Sequence, residues 1–324
     1  MKNQILQILQ SCPEEYKSGQ ELAERLECSR AAIWKSIQAL QKQGVGIEAV
    51  PSKGYHLIPG QDWMTVSGIV EHLQPHFQDR PLTVLSSVDS TNKQLKERAN
   101  RGEGEQILVA EHQTTGRGRM QRVFFSPQQT GVYFSILLSP KDWQLQECAQ
   151  LTTMAAVAAC RAIERVCGKE VQIKWVNDLL LNGKKVCGIL TEGVLDMENG
   201  RLSHAIVGVG MNVYAPQGGF PETLQPIAGY LMEQPEPNIK NRLVAEFLNE
   251  FFSFYEGDKQ AHAKEYRARS GVLGQEVNLH TASGVKQATV LDIDKDCRLV
   301  VQYPDGTQEV FQSGEITLRL SKEE

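Results

Sequence analysis

The spacing of apolar residues changes twice along this chain, and no other feature limits its fold as strongly. Up to about Gly60 the spacing is helical and then alternating. From about Asp62 to Ser270 strand-like and helix-like runs take turns, and from Gly271 only short alternating runs between turns remain. One core of one kind cannot satisfy all three patterns, and 324 residues suit two or three domains. The expectation is an α+β, multidomain chain with units at 1–60, 61–270 and 271–324, and Pro59-Gly60-Gln61-Asp62 as a linker. Pro216 to Pro237, rich in proline and glycine, reads as a long loop with room for a short helix.

In the first unit Ile5, Leu6, Ile8 and Leu9 make one helical face. Ser18 with Glu21 is a capping-box pattern for a second helix, whose inner residues are Leu22, Ala23 and Leu26. A break at Glu27-Cys28-Ser29 follows, and Ser29 can cap a third helix. There Ile33, Ile37 and Leu40 point inward, and Arg30, Trp34, Lys35, Gln38 and Lys42 point out. The pattern then alternates through Val45, Ile47, Val50, Tyr55 and Leu57 around a turn at Pro51 to Gly54, with Lys53 at the tip. These elements make a winged helix-turn-helix, whose third helix fits a major groove. Ser29, Arg30, Trp34, Lys35, Gln38 and Lys53 are its candidate DNA contacts. The other reading is a three-helix interaction module with a solvated charged face. The whole chain carries a net charge of -5, so DNA contact needs a local patch. Residues 1–60 hold seven basic and six acidic residues, a net of +1. So weak a head gains from pairing with a second copy.

In the central unit Leu82 to Leu85 reads as a strand running into Ser90-Thr91-Asn92 and a helix. The three polar residues suit a helix cap or a polar ligand at that helix start. A second strand, Ile107 to Ala110, leads into Glu111-His112-Gln113-Thr114-Thr115-Gly116-Arg117-Gly118-Arg119-Met120-Gln121-Arg122. Two glycines permit close backbone approach, and three arginines repel one another until an anion arrives. A disordered basic loop and a nucleic-acid element remain alternatives, although strands on both sides favour an active-site loop. Further on, Asn182-Gly183 between apolar runs marks a hairpin, with Lys185 just beyond it. That lysine suits a carboxylate or phosphate, or else an edge strand with its ammonium in water.

Taken together, Ser90-Thr91-Asn92, Gln113 with Gly116 to Arg119, Lys174-Trp175-Val176-Asn177-Asp178, Lys184 to Leu190 and Gly208-Val209-Gly210-Met211-Asn212 resemble the biotin protein ligase family, in its bifunctional ligase–repressor branch. The resemblance extends over the whole chain. It implies a central mixed sheet flanked by helices, like a class II aminoacyl-tRNA synthetase, and a C-terminal SH3-like β-barrel. It implies that Ser90, Thr91, Asn92, Gln113, Gly116, Arg117, Gly118, Arg119, Lys185 and Gly188 hold biotin. Arg119, Arg122, Phe124, Asn177, Lys185 and Asn212 would hold ATP or the adenylate, with Asp178 at Mg²⁺. Phe124 stands where the family often has tryptophan. The implied reaction joins biotin and ATP into biotinyl-5'-AMP and passes biotin to a lysine of the biotin carboxyl carrier protein. Attack of a carboxylate on an α-phosphate needs positioning and charge stabilisation and no enzyme nucleophile. Lys185, Arg119 and Asp178 are the catalytic candidates. The partners implied are the carrier domains of acetyl-CoA carboxylase and other biotin-dependent enzymes, operator DNA, and a second copy once adenylate is bound.

Beyond Gly271, Val277, Leu279, Ala288 to Leu291, Leu299 to Val301 and Val310-Phe311 alternate with turns at Ala282-Ser283-Gly284 and Pro304-Asp305-Gly306. The seven cysteines form no C-x-x-C pair, so they read as mostly buried small hydrophobes in a reducing cytoplasm. No secretory signal and no membrane span is apparent. Two rival functions keep the fold: a lipoate or octanoate ligase, and a ligand-sensing repressor without catalysis.

Overall fold

The structure, a computed structural model, describes the chain except residues 13–14, 43–44, 59–61, 141–142, 144–146, 196–201, 282–283 and 319–324. Most of the expected linker, Ala282 and Ser283 of one expected turn, and the side chain of Lys42 lie outside the described residues.

The head is three helices and a hairpin: α1 (Lys2–Ser11), α2 (Gly19–Arg25), α3 (Arg30–Lys42), β1 (Ile47–Val50) and β2 (Gly54–Leu57). Ser18 caps α2, its side chain accepting from the Glu21 amide at 3.0 Å. Ser29 accepts from the Ala32 amide at 3.2 Å at the start of α3. Ile5, Leu9, Leu22, Ile33 and Ile37 are fully buried between the helices. The wing gains a third strand-like rung, because Lys17 and Tyr55 exchange both backbone hydrogen bonds at 2.8 Å. Gly54 makes that approach possible: its φ is +114°, and a Cβ there would lie 2.2 Å from the Lys17 carbonyl oxygen.

Seven strands form the central sheet: β3 (Leu82–Leu85), β4 (Gln106–Ala110), β5 (Gly131–Leu138), β6 (Gln172–Lys174), β7 (Asp178–Leu181), β8 (Lys184–Leu195) and β9 (Leu202–Asn212). Their order is β3-β4-β5-β9-β8-β7-β6, with β3 and β4 parallel and every other pair antiparallel. The helices are α4 (Val66–Val70), α5 (Thr91–Asn100), α6 (Cys148–Cys167), α7 (Ile239–Glu256) and α8 (Ala263–Ala268). Strand β5 is buried on both sides, and its alternation sorts two cores. Val132, Phe134, Ile136 and Leu138 join the large core with α6 and α7, and Leu137 joins Leu95, Ala99, Leu108 and Ile206 under α5.

The Asn-Gly signal gives the β7–β8 hairpin, with Asn182 at φ 51° and Gly183 at φ 76°. Because β8 pairs with β7 and β9, Lys185 is not on an edge strand, which removes that reading of it. No helix occurs among the described residues from Pro216 to Pro237; residues 221–228 form a run of hydrogen-bonded turns instead.

The C-terminal unit is an antiparallel five-stranded sheet, β10 (Glu276–Thr281), β11 (Gly284–Ile293), β12 (Leu299–Gln302), β13 (Gln308–Phe311) and β14 (Glu315–Leu318), in the order β13-β12-β11-β10-β14. Val277, Leu279, Val290, Leu299 and Val301 continue the large central core, so the two units share one apolar interior. Among the cysteines, Cys160, Cys187 and Cys297 are buried and the other four are half-buried.

Candidate active site

Two groups of polar side chains meet on the sheet, one on each side of Phe124. The first begins where β3 turns into α5. Ser90 is the N-cap there, its side chain facing the Lys93 amide at 3.5 Å. Asp89, which accepts from Lys93, Gln94 and the Ser90 amide, is held down at about 2, chiefly by the Lys93 ammonium. Thr91 and Asn92 are buried towards the sheet. Gln113 Oε1 accepts from the Thr91 amide at 2.9 Å and its hydroxyl at 3.2 Å. Asn92 Nδ2 donates to the Glu192 carboxylate at 2.8 Å and the Leu190 carbonyl at 3.2 Å. Ser135, fully buried in β5, lies 2.7 Å from the Thr91 hydroxyl and 2.6 Å from Asn92 Oδ1. On the far side Gln113 Nε2 donates to Ser126 Oγ at 3.1 Å, and Ser126 donates to the Phe124 carbonyl at 2.9 Å.

The glycine–arginine segment folds back on itself as a narrow hairpin. The Phe124 amide donates to Gly116 O at 2.9 Å and the Gly118 amide to Arg122 O at 2.7 Å. A Cβ on Gly116 would lie 2.4 Å from the Phe124 carbonyl oxygen, so the fold needs glycine there. Arg119 reaches the second polar group, donating to Asn177 Oδ1 at 3.1 Å. In that group Lys185 Nζ is 2.7 Å from Asp178 Oδ1 and 5.6 Å from the Phe124 ring centre. Asn177 Nδ2 donates to Ile189 O at 2.8 Å, and Asn212 Nδ2 to Gly229 O at 3.0 Å, which holds residue 229 against Lys185. The Phe124 ring lies over Gly188 and Gly210, closing to within 2.5–3.0 Å of where their Cβ atoms would be.

The structure therefore brings together Thr91, Asn92, Gln113, Gly116, Arg119, Phe124, Asn177, Asp178, Lys185 and Gly188, with Asn212 alongside through the 229 segment. Arg117 and Arg122 stand apart. Arg117 is exposed, and Arg122 pairs with Glu315 of β14 across to the C-terminal unit. On the head Arg30, Trp34 and Lys35 are exposed along α3. Gln38 is half-buried and donates to Gln41, Ser29 is an exposed cap, and Lys53 stands 5.6 Å over the Tyr16 ring.

Sequence reasoning missed Ser126, Ser135 and Glu192. A lone hydroxyl in the apolar run Gly131-Val132-Tyr133-Phe134-Ser135-Ile136-Leu137-Leu138 was the available signal for Ser135, since a buried hydroxyl needs a partner. It also missed a buried junction behind the site. Lys240 of α7, with no exposure, donates to Glu111 at 2.6 Å through Nζ and to Asp62 at 2.8 Å through its backbone amide. Asn241 holds the Trp63 carbonyl and the Thr65 amide, and Tyr214 donates to Asp62 at 2.8 Å.

Three family models match the chain. One described as the biotin/lipoate A/B protein ligase family covers residues 84–212, an HTH domain covers 2–56, and a biotin protein ligase C terminal domain covers 272–319. The bifunctional ligase/repressor BirA of Bacillus subtilis is 33% identical over 319 residues, 97% of either chain. The protein of that name from Escherichia coli is 29% identical over 314 residues, 94% of either chain. A solved biotin protein ligase from Aquifex aeolicus, in complex with biotin and ATP, superposes with a TM-score of 0.61 at 28% identity, over 74% of this chain and 99% of that one.

Proposed function

The chain belongs to the biotin protein ligase family, in its bifunctional ligase–repressor branch, and from that premise we propose how its residues carry the reaction. It is an ATP-dependent, AMP-forming biotin protein ligase with a helix-turn-helix repressor head. The observation that carries the residue assignment is the pair of polar groups flanking Phe124. One presents the hydroxyls and amides of Ser90, Thr91, Asn92 and Gln113, and suits the ring of biotin; the other holds Lys185 and Arg119, and suits two anions.

In this reading Ser90, Thr91, Asn92, Gln113, Gly188 and the backbone of Gly116 to Arg119 hold biotin. Lys185 exchanges its Asp178 partner for the biotin carboxylate and the α-phosphate. A carboxylate oxygen forms a bond to phosphorus, the bond to pyrophosphate breaks, and the Lys185 ammonium offsets the charge that builds between them. Arg119, bonded to a neutral amide, is free to turn onto the adenylate, with Arg122 following once it leaves Glu315. Phe124 packs on the adenine and Asn212 sits beside it. Among the described residues no three acidic, histidine or cysteine side chains form a metal cluster. Magnesium enters with ATP as part of the substrate, and Asn177 and Asp178 would support it there. In the second step a lysine amine of the biotin carboxyl carrier protein attacks the acyl carbon, AMP leaves, and Asp178 takes the proton.

The adenylate orders the arginine loop and favours a dimer, so that two heads reach a two-part operator from the cytoplasm. Arg30, Trp34, Lys35, Gln38 and Lys53 face the DNA, and Ser29 anchors the helix that carries them. The working units are 1–60, 61–270 and 271–324. Exchange of labelled pyrophosphate into ATP, with Mg²⁺ and either biotin or lipoate, tests the first step. Exchange with biotin alone is expected, exchange with lipoate alone would overturn the substrate, and none with either would leave a ligand-sensing repressor.

A further inference from the structure

The buried row under α5 has too few protons for its acceptors, and its hydrogen-bond directions are set from Glu192. The Leu190 carbonyl and the Glu192 carboxylate only accept, so the nitrogen of the Asn92 amide must face them, as it does at 3.2 and 2.8 Å. Asn92 Oδ1 then faces Ser135 and can only accept. Ser135 is within donor reach of both Asn92 Oδ1 at 2.6 Å and Thr91 Oγ1 at 2.7 Å, but has one proton; given to Asn92 Oδ1, which cannot donate, it leaves the Thr91 hydroxyl to supply the proton of the 2.7 Å contact. The other group within reach of the Thr91 proton, Gln113 Oε1, is also an acceptor. On either path the single Thr91 proton is spent inside the protein, so Thr91 offers a ligand a lone pair and not an N–H or O–H donor.

We infer that Glu192 is a positioning residue for the acid substrate: by holding Asn92 it draws the Ser135 proton away from Thr91 and leaves both Thr91 lone pairs to the ligand, so that the pocket favours a ring N–H at that point. The inference rests on the reading that Thr91 faces the ureido ring of biotin. That ring brings N–H groups, which an acceptor satisfies and a donor would leave unpaired. Without the carboxylate only the longer bond to Leu190 holds the Asn92 amide. The amide can then turn over and donate to Ser135, whose proton passes to Thr91 while the Thr91 proton goes to Gln113 Oε1, so that one of the two Thr91 lone pairs open to the ligand's N–H is lost.

The test is pyrophosphate exchange by full-length Glu192→Leu, Glu192→Gln, Ser135→Ala and Thr91→Val proteins, with biotin and ATP varied separately. Glu192→Leu is expected to raise the biotin KM about tenfold, the size of one charge-assisted hydrogen bond. The ATP KM and kcat stay within about twofold, because nothing at the Lys185 side changes. Glu192→Gln, whose carbonyl oxygen can replace the carboxylate, restores the biotin KM. Ser135→Ala cuts the same row, is expected to raise the biotin KM about threefold, and decides the matter if Glu192→Leu does not fold. Biotin KM values unmoved in both variants while Thr91→Val raises its own would overturn the inference alone. If Thr91→Val is also unmoved, the placement of biotin at Thr91 falls with it. Parallel losses in biotin KM, ATP KM and kcat that Glu192→Gln does not restore would make Glu192 a scaffold residue and also overturn it.

Discussion

Lys185 holds an ion pair that it must give up in order to act. Its ammonium lies 2.7 Å from Asp178, a third of its side chain is exposed, and the Phe124 ring covers it from above. Half-exposed pairs of this kind are worth little to the fold, so an arriving carboxylate and phosphate displace Asp178 at low cost. Lys185→Ala should therefore leave stability nearly unchanged and slow adenylate formation about a hundredfold or more, the scale on which removing one preorganised charge acts. Rapid-quench single turnovers with enzyme in excess over biotin measure this directly, and a wild-type rate would take Lys185 out of the step. The residue was legible in sequence because Asn182-Gly183 fixed the hairpin that presents it. Its counter-ion Asp178 lies within the quoted Lys174 to Asp178 motif, but their pairing depends on the register of β7 on β8, which includes an irregularity between Leu179 and Leu180.

Helix α7 shows where periodicity fails as a signal. Of its 18 residues 13 are buried, among them Lys240, Asn241, Asn249 and Glu250. A helix wrapped by a sheet, by α6 and by the segment after the head keeps only a narrow polar stripe through Arg242, Glu246 and Ser253, and its buried lysine and amides look in sequence like exposed ones. The same lack of contrast hid β14, whose only buried residue among those described is Ile316. Strands with a clear two-residue alternation or a strong turn, such as β7 and β8, were legible. The buried polar residues of α7 tie elements together. Lys240, fully buried, bonds to Glu111 at the end of β4, immediately before the loop that carries Gln113 and Gly116. Lys240→Met leaves the buried Glu111 carboxylate with the Met64 amide but without its ammonium partner, and should cost about 3–5 kcal/mol. Adding Glu111→Leu should return a large part of that, since an apolar pair of similar volume replaces the ionic one. Urea unfolding of the single and double variants checks both expectations; equal stability for the two would mean that the pair is not coupled.

At the scale of the whole molecule, the head meets the ligase through residues 62–65, which α7 grips on both sides. Trp63 packs in the head's core, while its carbonyl accepts from Asn241 and the neighbouring Asp62 accepts from Tyr214 and from the Lys240 amide. All of these bonds to Asp62 fall on Oδ2, and Oδ1 is buried without a partner among the described residues. Burial therefore pushes the Asp62 carboxyl up from 3.8 to about 6, against the pull of the Lys240 ammonium and with a small push from Glu111. A carboxyl whose folded value lies above its unfolded one favours folding when protonated. The contribution is complete below about pH 4 and is lost as pH rises through about 6, a swing of about 3 kcal/mol at most. Asp62→Asn keeps an acceptor oxygen for Tyr214 and Lys240 and removes the charge. Its stability relative to wild type should rise between pH 4 and 7, reaching equality or better above about pH 6. Denaturant unfolding at pH 5 and pH 7.5 reads this as a difference between two proteins, so other titrating groups, such as His262, which burial holds down at about 4, cancel. Parallel pH profiles for the two proteins would mean that Asp62 is ionised at both pH values, and that the junction between head and ligase holds its charge without strain.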